Sequence, residues 1–166
     1  MSTTALIPVE EYLRRTEKPN CEYLEGVLRP KAMPTTLHAW IQSVLILLLS
    51  RQGKIALSEL TLPIATATFL VPDVAVVRSL QFPYPTDPPE LCIEILSPED
   101  RIGATLAKCE EYHPWGVACC WVIDPVQRIA WEYTLGGEPT RVADAGQLRA
   151  QDAVVSLDDL FAQLPD

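Results

Sequence analysis

Apolar and polar positions along the chain fall into short blocks whose period changes from one block to the next. Pro8, Val9, Glu10, Glu11, Tyr12 and Leu13 open a short helix, with Pro8 suited to a first turn, where a missing N–H costs nothing. Residues 22–28 predict a strand or hairpin around Gly26. Residues 35–51 predict a long helix, with Thr35 or Thr36 as its cap and Gly53 just past its end. Its C-terminal half is apolar nearly all round, which predicts burial. Residues 54–62 and 66–77 predict two strands divided by a turn at Pro63. Residues 91–96 predict a third, a continuous apolar run broken once by Glu94, as suits a strand covered on both faces. The proline-rich residues 82–89 between them read as a loop. Residues 102–113 predict a helix stopped by Pro114 and Gly116, its stripe of Ile102, Leu106, Cys109 and His113 facing the core. Residues 118–123 predict a strand closed by Asp124-Pro125 and paired with 129–134 as a hairpin. Residues 157–164 predict a short helix capped by Ser156. After the long helix the order is strand, strand, strand, helix, strand, strand, which predicts an α/β fold with helices packed on a sheet.

Composition narrows the classes. The chain has 166 residues, 48% hydrophobic and 21% charged, as expected for one globular domain over residues 1–166. The apolar block from Val44 to Leu49 is far short of the roughly 18 residues that span a bilayer, so no membrane is expected as partner. Residues 1–15 lack a basic start followed by an apolar stretch, so no secretory signal is expected. Five cysteines, an odd number without CxxC spacing, point to a reducing cytoplasm. The odd count and the apolar strand from Cys119 to Trp121 leave a homodimer open. A net charge of −9 and a pI near 4.7 count against holding nucleic acid by bulk electrostatics. No GxSxG, Gly-rich phosphate loop, HExxH or dinucleotide fingerprint is present. The aromatics are spread through expected core elements rather than arrayed for base stacking.

Two carboxylates stand out against this background. Glu94 interrupts Leu91-Cys92-Ile93-Glu94-Ile95-Leu96, and burying an unpaired carboxylate costs several kcal/mol, on the order of the penalty for any uncompensated charge. Asp73 lies in Leu70-Val71-Pro72-Asp73-Val74-Ala75-Val76-Val77, where alternation places it on the face of Val71, Ala75 and Val77. Pro72 removes a ladder donor just before it, the mark of an edge or bend. The plainer alternatives are a Glu paired with one Arg or set on an exposed strand face, and a Pro-Asp turn. Two carboxylates on nearby strands make joint sense as ligands of a hard cation, Mg²⁺ or Mn²⁺, which would offset their repulsion and assist attack on a phosphodiester.

The segments LVPDVAVV and PPELCIEILSPEDR, a helix bearing Lys108 and Tyr112, and WGVACCWVIDP together resemble the Uma-type family of restriction-endonuclease-like proteins, within the PD-(D/E)XK nuclease superfamily. VEEYLRR, CEYLEGVL and His38 resemble the family's N-terminal pattern, so the likeness covers nearly the whole chain. It implies a restriction-endonuclease-like mixed sheet flanked by helices, divalent-metal binding and phosphodiester hydrolysis. Pro72-Asp73 matches the first half of the superfamily motif and Glu94 the second. Leu96 stands where the motif has lysine, and Lys108 matches the lysine that the family places on the following helix. Ala104 departs from the acidic residue often found one turn earlier.

The resemblance therefore implies metal ligation by Asp73 and Glu94, with Lys108 at the attacking water or the phosphate. Periodicity alone would leave Lys108 solvated. Glu22 matches the family's early Glu and is a further catalytic candidate, as metal or water ligand or as an ordinary strand Glu. His38 could contact phosphate or sit at a helix start; Glu59 and Arg101 are weaker candidates. The expected activity is a Mg²⁺- or Mn²⁺-dependent endonuclease with DNA as partner. The alternative is a catalytically inactive interaction module on the same fold.

Overall fold

A computed structural model describes residues 6–17, 20–162 and 164. The first five residues, part of the stretch read against a secretory signal, lie outside the described residues. Helix α1 (Val9–Leu13) leads to strands β1 (Cys21–Leu24) and β2 (Val27–Pro30), and helix α2 (Thr36–Arg51) follows. Then come β3 (Ile55–Ser58), β4 (Leu62–Ala65), β5 (Thr68–Leu70), β6 (Val74–Val77) and β7 (Leu91–Ile95). Helix α3 (Ile102–Tyr112) runs into a 3-10 turn (His113–Trp115) and delivers β8 (Cys119–Asp124). β9 (Ile129–Thr134), β10 (Thr140–Val142), β11 (Gln147–Ala150), β12 (Ala153–Ser156) and α4 (Leu157–Phe161) complete the order.

The main sheet has the strand order β10-β9-β8-β7-β6-β3. Its neighbours are antiparallel except β7 and β8, which run parallel. A parallel pair cannot be closed by a tight turn, and α3 supplies the crossover. A smaller sheet, β2-β1-β5-β4, and the hairpin β11-β12 stand beside it. The β1–β2 turn places Glu25 at φ 48° and Gly26 at φ 93°, the two positive values that a two-residue hairpin turn requires.

The two long helices cover opposite faces of the main sheet. Ile41, Leu45 and Leu49 of α2 pack with Val74, Val76, Ile93 and Trp121. Cys109 and Tyr112 of α3 pack with Cys92, Cys120 and Val122 on the other side. With both faces covered, β7 and β8 are buried along their whole length, which is why they read as apolar runs broken only at Glu94 and at the terminal Asp124. Thr35 caps α2 by accepting from the His38 amide, and Ser156 caps α4 by accepting from the Asp159 amide.

Several elements differ from the expected ones. Pro63 sits inside β4 rather than at a turn; β4 is the edge of the smaller sheet, where a residue without N–H forfeits no ladder bond. The two strands expected over residues 54–77 are four. Leu47 is 49% exposed, so the apolar half of α2 is not buried all round. α4 ends at Phe161. Strands β10 to β12 fall in a stretch with no predicted element. Cys119 and Trp121, whose apolar strand left self-association open, lie in a central strand and are buried within the chain. Trp40 and Phe82 are exposed, so the aromatics are not confined to the core. Among the described residues no helix is long and apolar enough to cross a membrane.

Leu45 is fully buried between α2 and the sheet. Leu45→Ala should lower unfolding stability by about 2–5 kcal/mol, the cost of lost burial plus a residual cavity, read as a fall in the urea midpoint at unchanged slope.

Candidate active site

Strand registers bring the acidic residues together. Ser58 pairs with Val74 across β3 and β6, so the next step outward sets Glu59 beside Asp73; the Glu59 amide donates to the Asp73 carbonyl at 3.2 Å. Val74 pairs with Ile93 across β6 and β7, so the same step sets Asp73 beside Glu94. Glu59, Asp73 and Glu94 thus form one lateral row at the end of three adjacent strands. Asp73 occupies a bend just before β6 rather than the strand itself, as the preceding Pro72 favours. Like charges side by side across strands repel, so the row requires cations.

Each inner carboxylate is held by a helix from a different face. His38 and Gln42, one turn apart on α2, reach Asp73: His38 Nε2 lies 3.4 Å from Oδ1, and Gln42 Nε2 donates to the backbone carbonyl at 2.7 Å. Lys108 and Tyr112, one turn apart on α3, reach Glu94: Lys108 Nζ lies 2.8 Å from Oε1, and the Tyr112 hydroxyl donates to the same oxygen at 2.7 Å. Neither of these contacts engages Glu94 Oε2. The second oxygen of Asp73, Oδ2, accepts from the Ile95 amide at 2.7 Å, which ties the bend to the end of β7.

Lysine supplies the remaining contacts. Lys108 also lies 2.7 Å from Glu22 Oε1 and donates to the Val71 carbonyl at 3.4 Å. Glu22 is buried on β1, accepts from the Val71 amide at 3.0 Å and pairs with Arg29 at 3.5 Å. It is not the exposed strand Glu of the plainer reading. Lys31, just past β2, lies 2.8 Å from Asp73 Oδ1 and 3.2 Å from Glu59 Oε1, and donates to the Val71 carbonyl at 2.8 Å. Glu22, Lys31, His38, Asp73, Glu94 and Lys108 all line one cavity of about 450 Å³. Arg101 is exposed at the N-cap of α3. Nδ1 of His38 is buried without a hydrogen-bond partner.

Burial and pairing set the charges. Burial raises the Asp73 pKa, but His38 and Lys31 more than offset it and hold the group well below the carboxylate range. Burial lowers the Lys108 pKa, but Glu94 and Glu22 outweigh it, and the ammonium stays charged. Glu94 is pushed up to about 7, first by burial and then by Asp73, against the pull of Lys108. One ammonium shared by Glu22 and Glu94 cannot fully neutralise both. Among the described residues no three carboxylate, imidazole or thiol groups converge as a metal site in this arrangement, because Lys31 and Lys108 stand among the carboxylates. The donor chemistry nevertheless suits a hard divalent ion: Asp73 and Glu94 offer oxygen only, in one cavity, and a cation there would relieve the burial of Glu94.

Lys31 escaped the sequence reading. Its signal was available: no other Asp, Glu, Lys or Arg occurs between Arg29 and Arg51. A lone lysine in so long an uncharged stretch is placed for a specific partner.

Glu94 makes the fold sensitive to pH. Its folded pKa of about 7 lies above the ordinary 4.5, so between those values the folded chain binds more protons than the unfolded one. Its stabilising contribution is complete below pH 4.5 and is lost as pH rises to 7. Glu94→Gln, neutral throughout, should gain on the parent chain by on the order of 3 kcal/mol across that window, as measured by urea unfolding in metal-free buffer.

The Uma2 family model, described as "Putative restriction endonuclease", matches residues 9–164. A crystal structure of "a putative nuclease belonging to DUF820" from Anabaena variabilis ATCC 29413 is 26% identical, with a TM-score of 0.77. The match covers 94% of this chain and 98% of that one, and confirms the mixed sheet flanked by helices. No curated protein matches. With residues 9–164 matched by its model, this chain belongs to the Uma2 family of restriction-endonuclease-like proteins.

Proposed function

We propose that this chain is a Mg²⁺- or Mn²⁺-dependent endonuclease that hydrolyses DNA phosphodiester bonds, with Asp73 and Glu94 as the metal ligands. The observation that carries this reading is the Lys108 ammonium 2.8 Å from Glu94. It provides from a helix the cation that Leu96 cannot provide from the strand. A bound divalent ion would supply Lewis acidity to the phosphate and make its water a better nucleophile.

The chain's own groups do the rest. Asp73 remains ionised at every accessible pH and is aimed by His38, Gln42 and the Ile95 amide. Tyr112 keeps its proton and fixes the Glu94 rotamer by donating to Oε1. Lys108, permanently charged, orients the attacking water and offsets charge on the phosphoryl oxygens as the new P–O bond forms and the ester P–O bond breaks. Glu22 acts through Lys108 as a positioning residue, holding the ammonium from behind at 2.7 Å. The family description supports DNA as substrate. With a net charge of −9, recognition rests on the cavity and its lysines rather than on the overall field. Cys92, Cys109, Cys119 and Cys120 are buried free thiols, which supports a cytoplasmic setting. Whether the chain works as a homodimer is read by light scattering in the same preparations.

Purified protein with supercoiled plasmid and Mg²⁺ or Mn²⁺ should nick or linearise it, and EDTA should abolish the reaction. Asp73→Ala and Glu94→Ala should each lower the rate at least about a hundredfold. Lys108→Met should lower it comparably while Mn²⁺ binding persists. Equal cleavage by the parent and Asp73→Ala would remove the site from the mechanism, and a parallel RNA substrate tests the preference for DNA.

A further inference from the structure

Lys31 has no part in the hydrolysis proposed above. Its ammonium nevertheless stands 2.8 Å from Asp73 Oδ1 and 2.8 Å from the Val71 carbonyl. Carboxylate and carbonyl oxygens are the donors that a hard divalent ion seeks. An ion bound by Asp73 must therefore contend with a cation already in place.

A second acceptor lies within reach. Glu59 Oε1 is 3.2 Å from the same ammonium. The other oxygen, Oε2, accepts from Asn20 Nδ2 at 2.9 Å, and the Glu59 amide is bonded to the Asp73 carbonyl, so the carboxylate is fixed in direction. A flexible four-carbon stem lets the ammonium shift from one carboxylate to the other and stay paired throughout. Leaving Asp73 without such a receiver would strand a largely buried positive charge.

We propose that Lys31 and Glu59 form a cation exchange beside the site: the Lys31 ammonium neutralises Asp73 in the ion-free protein, yields that oxygen when a divalent cation binds, and is received by Glu59. This rests on the reading of Asp73 as a metal ligand. Lys31 and Glu59 are then positioning residues. They decide how readily the ion enters and take no part in the bond-making step.

A double-mutant cycle on Mn²⁺ affinity tests the exchange, measured by calorimetry on the full chain after treatment with EDTA and desalting. Lys31→Met should bind Mn²⁺ roughly tenfold more tightly, since no ammonium has to leave. Glu59→Gln should bind roughly tenfold more weakly, since the displaced ammonium has no carboxylate to receive it. With both changes the affinity should equal that of Lys31→Met to within about twofold, because Glu59 acts only through the lysine. If Glu59→Gln weakens binding equally in both backgrounds, Glu59 acts on the ion itself and the exchange is wrong. Unchanged or weaker binding by Lys31→Met also overturns it. Binding by Lys31→Met but not by the parent chain would sustain the exchange while removing metal-dependent hydrolysis by the native protein. Binding by none of the four removes both readings. Circular dichroism checks folding, and if Lys31→Met does not fold, Lys31→Gln, which keeps a neutral donor to Asp73, must show the same coupling.

Discussion

The Ile95 amide donates to Asp73 Oδ2 at 2.7 Å, and the rest of the site is arranged around that bond. It closes the bend before β6 onto the end of β7 and so sets Asp73 beside Glu94. A backbone donor cannot swing away, so the sheet fixes one oxygen of this carboxylate while the Lys31 and His38 side chains meet the other. Gln42 secures the same bend from α2 through the Asp73 carbonyl. The ladder of the main sheet thus determines where the acids stand, and the helices determine what faces them.

The electrostatics follow from that placement. Glu22, Asp73 and Glu94 are buried acids, and among the described residues Lys31 and Lys108 bring largely buried ammonium groups to them. Asp73, approached by both Lys31 and His38, is held ionised, whereas Glu94, sharing Lys108 with Glu22, is left near neutrality. The two acids therefore differ in kind although they are neighbours in register. A site short of positive charge, with oxygen donors turned to one cavity, is electrostatically suited to a divalent cation.

The legibility of this arrangement from sequence depends on how each residue announces itself. Asp73 and Glu94 were visible because a charge inside an apolar strand demands an explanation. Periodicity does not single out Lys108, since a helical lysine is ordinarily solvated; the family resemblance does, and its ammonium lies 2.8 Å from Glu94. Lys31 follows a short edge strand in a turn of no regular period, so nothing but the uncharged stretch after it marks it. Glu59 is one of the weaker candidates by sequence, although register alone sets it beside Asp73. Among the elements, α2, α3, β7, β8 and β9 were legible from long apolar runs and clear stops. Pro63 misled because a proline signals a break only where a ladder bond is needed, and the edge of the smaller sheet needs none. The strands after Thr134 are short and mixed in polarity, and their pairing is set by tertiary contacts.

The antiparallel pairing of β6 with β7 has one more implication. Asp73 and Glu94 sit at the tips of the two arms, and the proline-rich residues 78–90 join the arms at the opposite end. Four residues of paired strand, about 13 Å, separate that connection from the acids. The connection is nevertheless not remote from the site: its Tyr84 lines a cavity together with Asn20, Glu59 and Val71, and Pro85 and Pro89 are buried. Rebuilding the handle of these tongs would therefore be felt at Glu59, beside the grip.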